Sequence, residues 1–221
     1  MMKRFSYYLL ILTILGGCAS LQAKREVFEN TFYSSYPEIQ IKVSSEFEYI
    51  GETKEAETRA YQDSTSTGTI RQNFYIFVQS DEQRVKKGVS IQIQKAPTHF
   101  VSDIYGRVKN YHGRGTCELG GVSWQYCSRL VYTSMAGSVT RFATKQGYVV
   151  PECLLVKQTS KVFGSRNNYL ITISYLEVPP ISGYVCNSWA PNSTLTHSQR
   201  EYIEQFKRNS ETSFKILKSS Y

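Results

Sequence analysis

The chain has 221 residues, a formal charge of +8 and five cysteines. Its 41% hydrophobic content is that of an ordinary globular domain, which argues against a disordered chain or a multi-span membrane protein. A 14% aromatic share, dominated by Tyr, suits a β-rich fold with half-exposed sheet faces. No internal period repeats, and no interior stretch rich in Pro, Gly or Ser divides the chain.

The first element is a leader. Lys3 and Arg4 precede Phe5–Leu15, which is nearly all apolar or aromatic. The run is shorter than the roughly 20 residues that span a bilayer, and it has the flanks of a secretory signal. It ends in Leu15-Gly16-Gly17-Cys18. That ending resembles the lipobox of bacterial lipoproteins, and the resemblance covers residues 1–18. It implies that the signal is cut before Cys18 and that the Cys18 thiol carries a diacylglyceryl group. Two or three acyl chains anchor stably where one is marginal. Position 19 is Ala and not the Asp that holds many lipoproteins at the inner membrane of Gram-negative bacteria. In such a host, Ala19-Ser20 implies the periplasmic face of the outer membrane. The alternative is an ordinary secretory signal. The expected layout is therefore a signal at 1–17, a lipidated tether at 18–29 and one globular domain at 30–221.

Loss of Lys3 and Arg4 lowers the side-chain charge to about +6, a balance that favours anionic lipid or cell-wall polymer near a membrane. The basic residues are scattered rather than blocked, which favours the plainer reading that the charge only aids solubility. An exported chain leaves nucleic acid out of reach as a partner.

In chain order, Glu38–Val43 alternates Ile39, Ile41 and Val43 with polar residues and predicts a half-buried strand. Phe47–Ile50 predicts a second strand, and the charged and then Ser/Thr-rich tract Lys54–Thr69 predicts a loop. Ile70–Gln79 is apolar on both parities, as in a strand covered on two faces. Val89, Ile91 and Ile93 mark its hairpin partner. Phe100, Val101, Ile104, Tyr105, Val108 and Tyr111 follow helical spacing, with Thr98 as a cap and Gly113 as a stop. Strands are then expected at Val122–Thr133, Val139–Lys145, Tyr148–Lys157 and Asn168–Val178, the last stopped by Pro179-Pro180. Ser198-Gln-Arg-Glu201 reads as a capping box for a final helix whose stripe is Ile203, Phe206, Ser210, Phe214 and Leu217.

This order implies an α+β fold: a mostly antiparallel sheet flanked by helices, with a C-terminal helix packed on the sheet. Tyr169-Leu-Ile-Thr-Ile-Ser-Tyr175, followed by a closing helix that ends near Ser213-Phe214-Lys215-Ile216, faintly resembles PsbP-like domains. That resemblance covers about a quarter of the chain and implies a fold, not a function.

With Cys18 assigned to lipid, Cys117, Cys127, Cys153 and Cys186 remain, and an even number in an exported chain predicts two disulfides. The sequential pairing, Cys117–Cys127 and Cys153–Cys186, closes the shortest loops. One point works against the first bridge: a two-residue turn at Gly120-Gly121 would set Cys117 opposite Trp124.

No metal, cofactor or catalytic motif stands out. His99, His112 and His197 lack ligand spacing, and there is no nucleophile elbow or phosphate-binding glycine loop. The nearest nucleophilic set is Cys117 with His112 and Asp103, which competes with the disulfide reading of Cys117. Two groups are candidates for binding. Arg107, Lys109 and Arg114 interleave with Tyr105 and Tyr111 and suit a glycan or anionic lipid. Tyr184 and Trp189, in the loop after Pro180, suit contact with another envelope protein, although Trp189 equally suits a core plug. The expected function is that of a non-catalytic envelope lipoprotein that contacts a partner protein. The alternatives are a glycan- or anionic-lipid-binding module and an envelope hydrolase with an unrecognised site.

Overall fold

Alternation of apolar and polar residues governs most of this chain, and the computed structural model resolves it into two antiparallel sheets that share one core. It describes residues 23–60, 67–97, 111–135, 137–180 and 185–219. The smaller sheet consists, in spatial order, of Arg25–Phe28 (β1), Thr31–Ser35 (β2), Glu38–Val43 (β3) and Phe214–Ser219 (β11). The larger is built from Glu48–Ala60 (β4), Thr67–Asp81 (β5), Arg84–Lys95 (β6), Gly113–Leu119 (β7), Val122–Tyr132 (β8), Cys153–Phe163 (β9) and Tyr169–Glu177 (β10). Its spatial order is β4-β5-β6-β10-β9-β8-β7. Two α-helices, Ser138–Lys145 (α1) and His197–Thr212 (α2), complete an α+β fold among the described residues.

The inner face of the large sheet is built from Phe77, Val89, Ile91, Ile173, Tyr175 and Leu155. It packs against Phe32, Ile39 and Ile41 of the small sheet and against Ile203 and Phe206 of α2. The outer face is also apolar under α1, where Phe74, Ile76 and Val78 meet Val139 and Phe142. This second cover is why residues 70–79 are apolar on both parities. The same face also carries a polar stretch: Gln92 and Gln94 donate to Gln72 Oε1 at 2.6 and 3.1 Å, and Ser160 and Thr172 pair at 2.8 Å.

Several expectations change. Arg25–Phe28, inside the segment read as a tether, is a strand paired to β2. Lys54–Ala60 is not loop but the far half of β4, an edge strand whose charges discourage further pairing. The β4–β5 arm extends four residue pairs, from Glu57↔Ile70 to Ala60↔Thr67, beyond the reach of β6. Val139–Lys145 is helix, because Val139 and Phe142 reach the same apolar patch only at helical spacing. The strand expected from Tyr148 begins at Cys153, and β7 was not foreseen as a strand. The helix expected over 98–113 falls almost wholly outside the described residues, and Gly113 opens β7 rather than closing a helix.

The last helix is capped by Thr196, not Ser198. Gln199 N–H donates to Thr196 Oγ1 at 3.3 Å, and Thr196 N–H donates to Gln199 Oε1 at 2.9 Å. The Gln199 amide also donates to the Ser188 carbonyl at 3.1 Å, which ties the helix start to the 3-10 turn Cys186–Trp189. The helix stops at Thr212. Phe214 and Leu217 belong instead to β11, which returns to pair with β3.

Candidate functional site

The Gly120-Gly121 turn decides what the edge of the large sheet presents. Both glycines have positive φ, +60° and +76°, as a two-residue hairpin requires. The register then pairs Cys117 with Trp124 and Arg114 with Cys127. Trp124 and Cys127 are three residues apart on one strand, so Cys117 and Cys127 lie on opposite faces. The expected Cys117–Cys127 bridge does not form, and both residues are thiols. Cys127 is buried and hydrogen-bonded with Tyr111. The other expected bridge is present: Cys153 and Cys186 are joined across 33 residues.

On the inner face, Cys117 opens into a cleft of about 370 Å³ between β7–β10 and the end of α2. Lys157, Thr159, Tyr175, Ser210 and Phe214 line it, with Glu211 at the rim. The strand register explains the grouping: Lys157 pairs with Ser128 and Tyr175, so it shares the inward parity of Leu155 and Thr159. The Lys157 side chain is only 11% exposed. Its ammonium lies 3.3 Å from Glu211 Oε1 and 5.4 Å from the Tyr126 ring centroid. Glu211 is 67% exposed, so the partner of a nearly buried cation is itself open to solvent.

Burial pushes the Cys117 thiol up from its ordinary value. Lys157 opposes this and Glu211 adds to it. The thiol therefore stays protonated near neutral pH, the wrong state for a nucleophile. His112 does not activate it. The imidazole bonds to the Trp189 carbonyl, and burial holds its pKa below the usual range. Asp103, the third member of that set, lies outside the described residues.

A second polar cluster sits inside the same face. Glu177 is 5% exposed and accepts from both Tyr175 and Tyr202, the latter at 2.8 Å. The Asn209 amide donates to Glu177 Oε2 at 3.1 Å. Burial and this carboxylate drive both phenols upward from their ordinary value. The carboxylate is fully engaged by its three donors, and the cluster joins α2 to β10 across the core. It is a fastening rather than a reaction site.

The residues expected to bind fare differently. Trp189 is 1% exposed and packs edge-on against Tyr202 at 5.5 Å, so it is the core plug and cannot be a surface anchor. Arg114 is exposed on β7. Arg107, Lys109, Tyr184 and Cys18 lie outside the described residues. Sequence reasoning missed Lys157, Glu211 and Glu177. One signal was present: Lys157 shares the inward parity of Leu155, and Glu177 that of Ile173 and Tyr175, positions where an unpaired charge would be costly.

Among the described residues no group of three His, Cys, Asp or Glu could hold a metal ion, and no helix is long and apolar enough to cross a membrane. No family model, curated protein or solved structure matches this chain.

Proposed function

We propose that this chain is a lipoprotein of the bacterial cell envelope, anchored through acylated Cys18, and that its domain acts by binding rather than by turnover. The anchor rests on Leu15-Gly16-Gly17-Cys18 behind a basic and apolar leader. The binding role rests on one observation: the cleft sets a nearly buried ammonium, Lys157, among hydroxyls and aromatic walls, with an exposed carboxylate as its only ion-pair partner among the described residues. Such a site suits an anionic ligand with an apolar or sugar body. The ligand would displace Glu211 and take over Lys157, with Tyr175 and Phe214 against its body. Fragments of anionic cell-wall glycan and glycerol phosphate headgroups have this chemistry.

The test is calorimetric titration of the detergent-solubilised acylated protein with muramyl fragments and with glycerol phosphate. Lys157→Met should weaken binding by about tenfold or more, since a hydrogen bond to a charged group contributes about 1.5–3 kcal/mol. Glu211→Gln should strengthen it by removing the competitor. Equal affinities in wild type and Lys157→Met would refute the cleft as the site.

A second reading, contact with another envelope protein, is favoured by the β4–β5 arm that outruns β6. Crosslinking in native envelopes checks it. A partner still captured after Glu57→Lys and Thr58→Lys would clear the arm of that role.

A further inference from the structure

We infer that the outer face of the small sheet is a docking surface for the anionic headgroups of the bilayer that holds Cys18. This rests on the lipid-anchor reading and adds an orientation to it. The inner face of this sheet is closed by the core, so its outer face alone is free to meet a surface.

One cross-strand row on that face runs Phe28, Thr31, Lys42, Lys215; Thr31 is buried within it, and Phe28, Lys42 and Lys215 are its exposed members. Phe28 is 64% exposed, and Leu217, at the β11 bulge beside the row, is 55% exposed. Phe28 and Leu217 lie on the two edge strands of the sheet, so an exposed apolar group stands at each side of the two lysines. Lys42 and Lys215 stand directly opposite one another, an arrangement that is destabilising in an isolated sheet. At the flanks, Lys24 pairs with Glu26 at 3.1 Å and Lys218 pairs with Glu38. Those pairs neutralise themselves. Among the described residues no ion pair involves Lys42 or Lys215, so they carry the excess positive charge. Phosphate groups bridging the two ammoniums would relieve their repulsion while Phe28 and Leu217 enter the headgroup layer.

Chain length fixes which side of the domain can do this. Six residues lie between Cys18 and Arg25, and the seven steps from one to the other reach at most about 25 Å. A domain of this size is about 40 Å across. The tether is shorter than the domain is wide, so the sheet that contains β1 is held close to the membrane.

The experiment uses the processed full-length protein carrying Phe28→Trp, reconstituted into brominated phosphatidylcholine vesicles with or without phosphatidylglycerol. The native Trp124 and Trp189 are each 1% exposed and give a constant background. The new indole should be quenched in the anionic vesicles and spared in the neutral ones. A control indole, introduced by Arg200→Trp on the exposed side of α2, should be spared in both. Lys42→Gln and Lys215→Gln should each reduce the docking equilibrium by about fivefold, and raised salt should do the same. Charge-reversing variants at the two positions check the effect, with circular dichroism confirming that each variant folds. If Cys18 is acylated and the protein floats with vesicles but the Phe28→Trp indole is unquenched, the docking face is refuted and the anchor stands. If mass spectrometry finds Cys18 unmodified and the protein does not float, both fall. A dimer in detergent that Phe28→Glu dissolves would assign the face to a second copy and overturn the proposal.

Discussion

The two faces of the large sheet are made by the same strands but held by different forces. On the inner face Phe77, Ile91, Ile173 and Tyr175 are at most 1% exposed under a second sheet and a helix. On the outer face α1 closes the β5 end by apolar packing, and Gln72 pairs with Gln92 and Gln94, and Ser160 with Thr172, across strands. Packing fixes the first face through shape, so each lost group leaves a cavity. Hydrogen bonds fix the second through exchangeable partners, so each lost group has a neighbour to replace it. The inner face is also where the exceptional charges lie, Glu177 fully bonded and Lys157 opened to a cleft.

Breaking the inner face should have the largest effect. Phe206→Ala removes the ring that meets Tyr175 at 5.5 Å and should cost about 3–5 kcal/mol by denaturant unfolding. Next is the Cys153–Cys186 bridge, which pins the turn bearing Trp189 over that face. Replacing both cysteines by Ala should cost about 2–4 kcal/mol. A reducing agent should lower the melting temperature of wild type but not of that variant.

Tyr202→Phe leaves Glu177 with Tyr175 and Asn209 and should cost about 1–2 kcal/mol. Gln92→Ala, on the outer face, should cost about 1 kcal/mol or less, because Gln94 still serves Gln72 Oε1. A cost as large as that of Phe206→Ala would erase the contrast between the faces.

The smallest effect is a pH dependence at the end of the inner face. His112 has its pKa lowered from 6.5 by burial, against a bond to the Trp189 carbonyl. Its contribution is complete above that unfolded value and is lost as pH falls below it, because the unfolded chain takes up the proton first. Melting temperature should fall as pH drops from about 7 to about 5, and His112→Gln should flatten the slope. An unchanged slope would show that other groups set it.

Local pattern was enough for β3, β5, β6 and β10, where alternation or two-sided apolarity is continuous. It failed where one set of residues satisfies two periods. Val139, Phe142 and Ala143 fit a strand by their β-branched and aromatic neighbours, yet only a helix brings them to the β5 patch. Phe214 and Leu217 continue a helical stripe, yet pairing with β3, from the other end of the chain, claims them. The missing Cys117–Cys127 bridge was legible in principle, since two glycines in a two-residue turn fix the register that separates the thiols.

The sequence by itself determined the strand periodicity and the two-sided burial of β5, because these depend on side-chain order; it offered the Cys153–Cys186 pair only as one of three connectivities, and the fold decided that this bridge forms and Cys117–Cys127 does not. The sequence also carries the leader on which the proposed anchor rests. Tertiary structure alone decided which charges meet. Lys157 and Glu211 are 54 residues apart, and Tyr175, Glu177, Tyr202 and Asn209 come from a strand and a helix with a loop between them. Nothing local favours those encounters. They form because closing an apolar core forces inward-facing polar groups to find one another or remain unpaired at high cost.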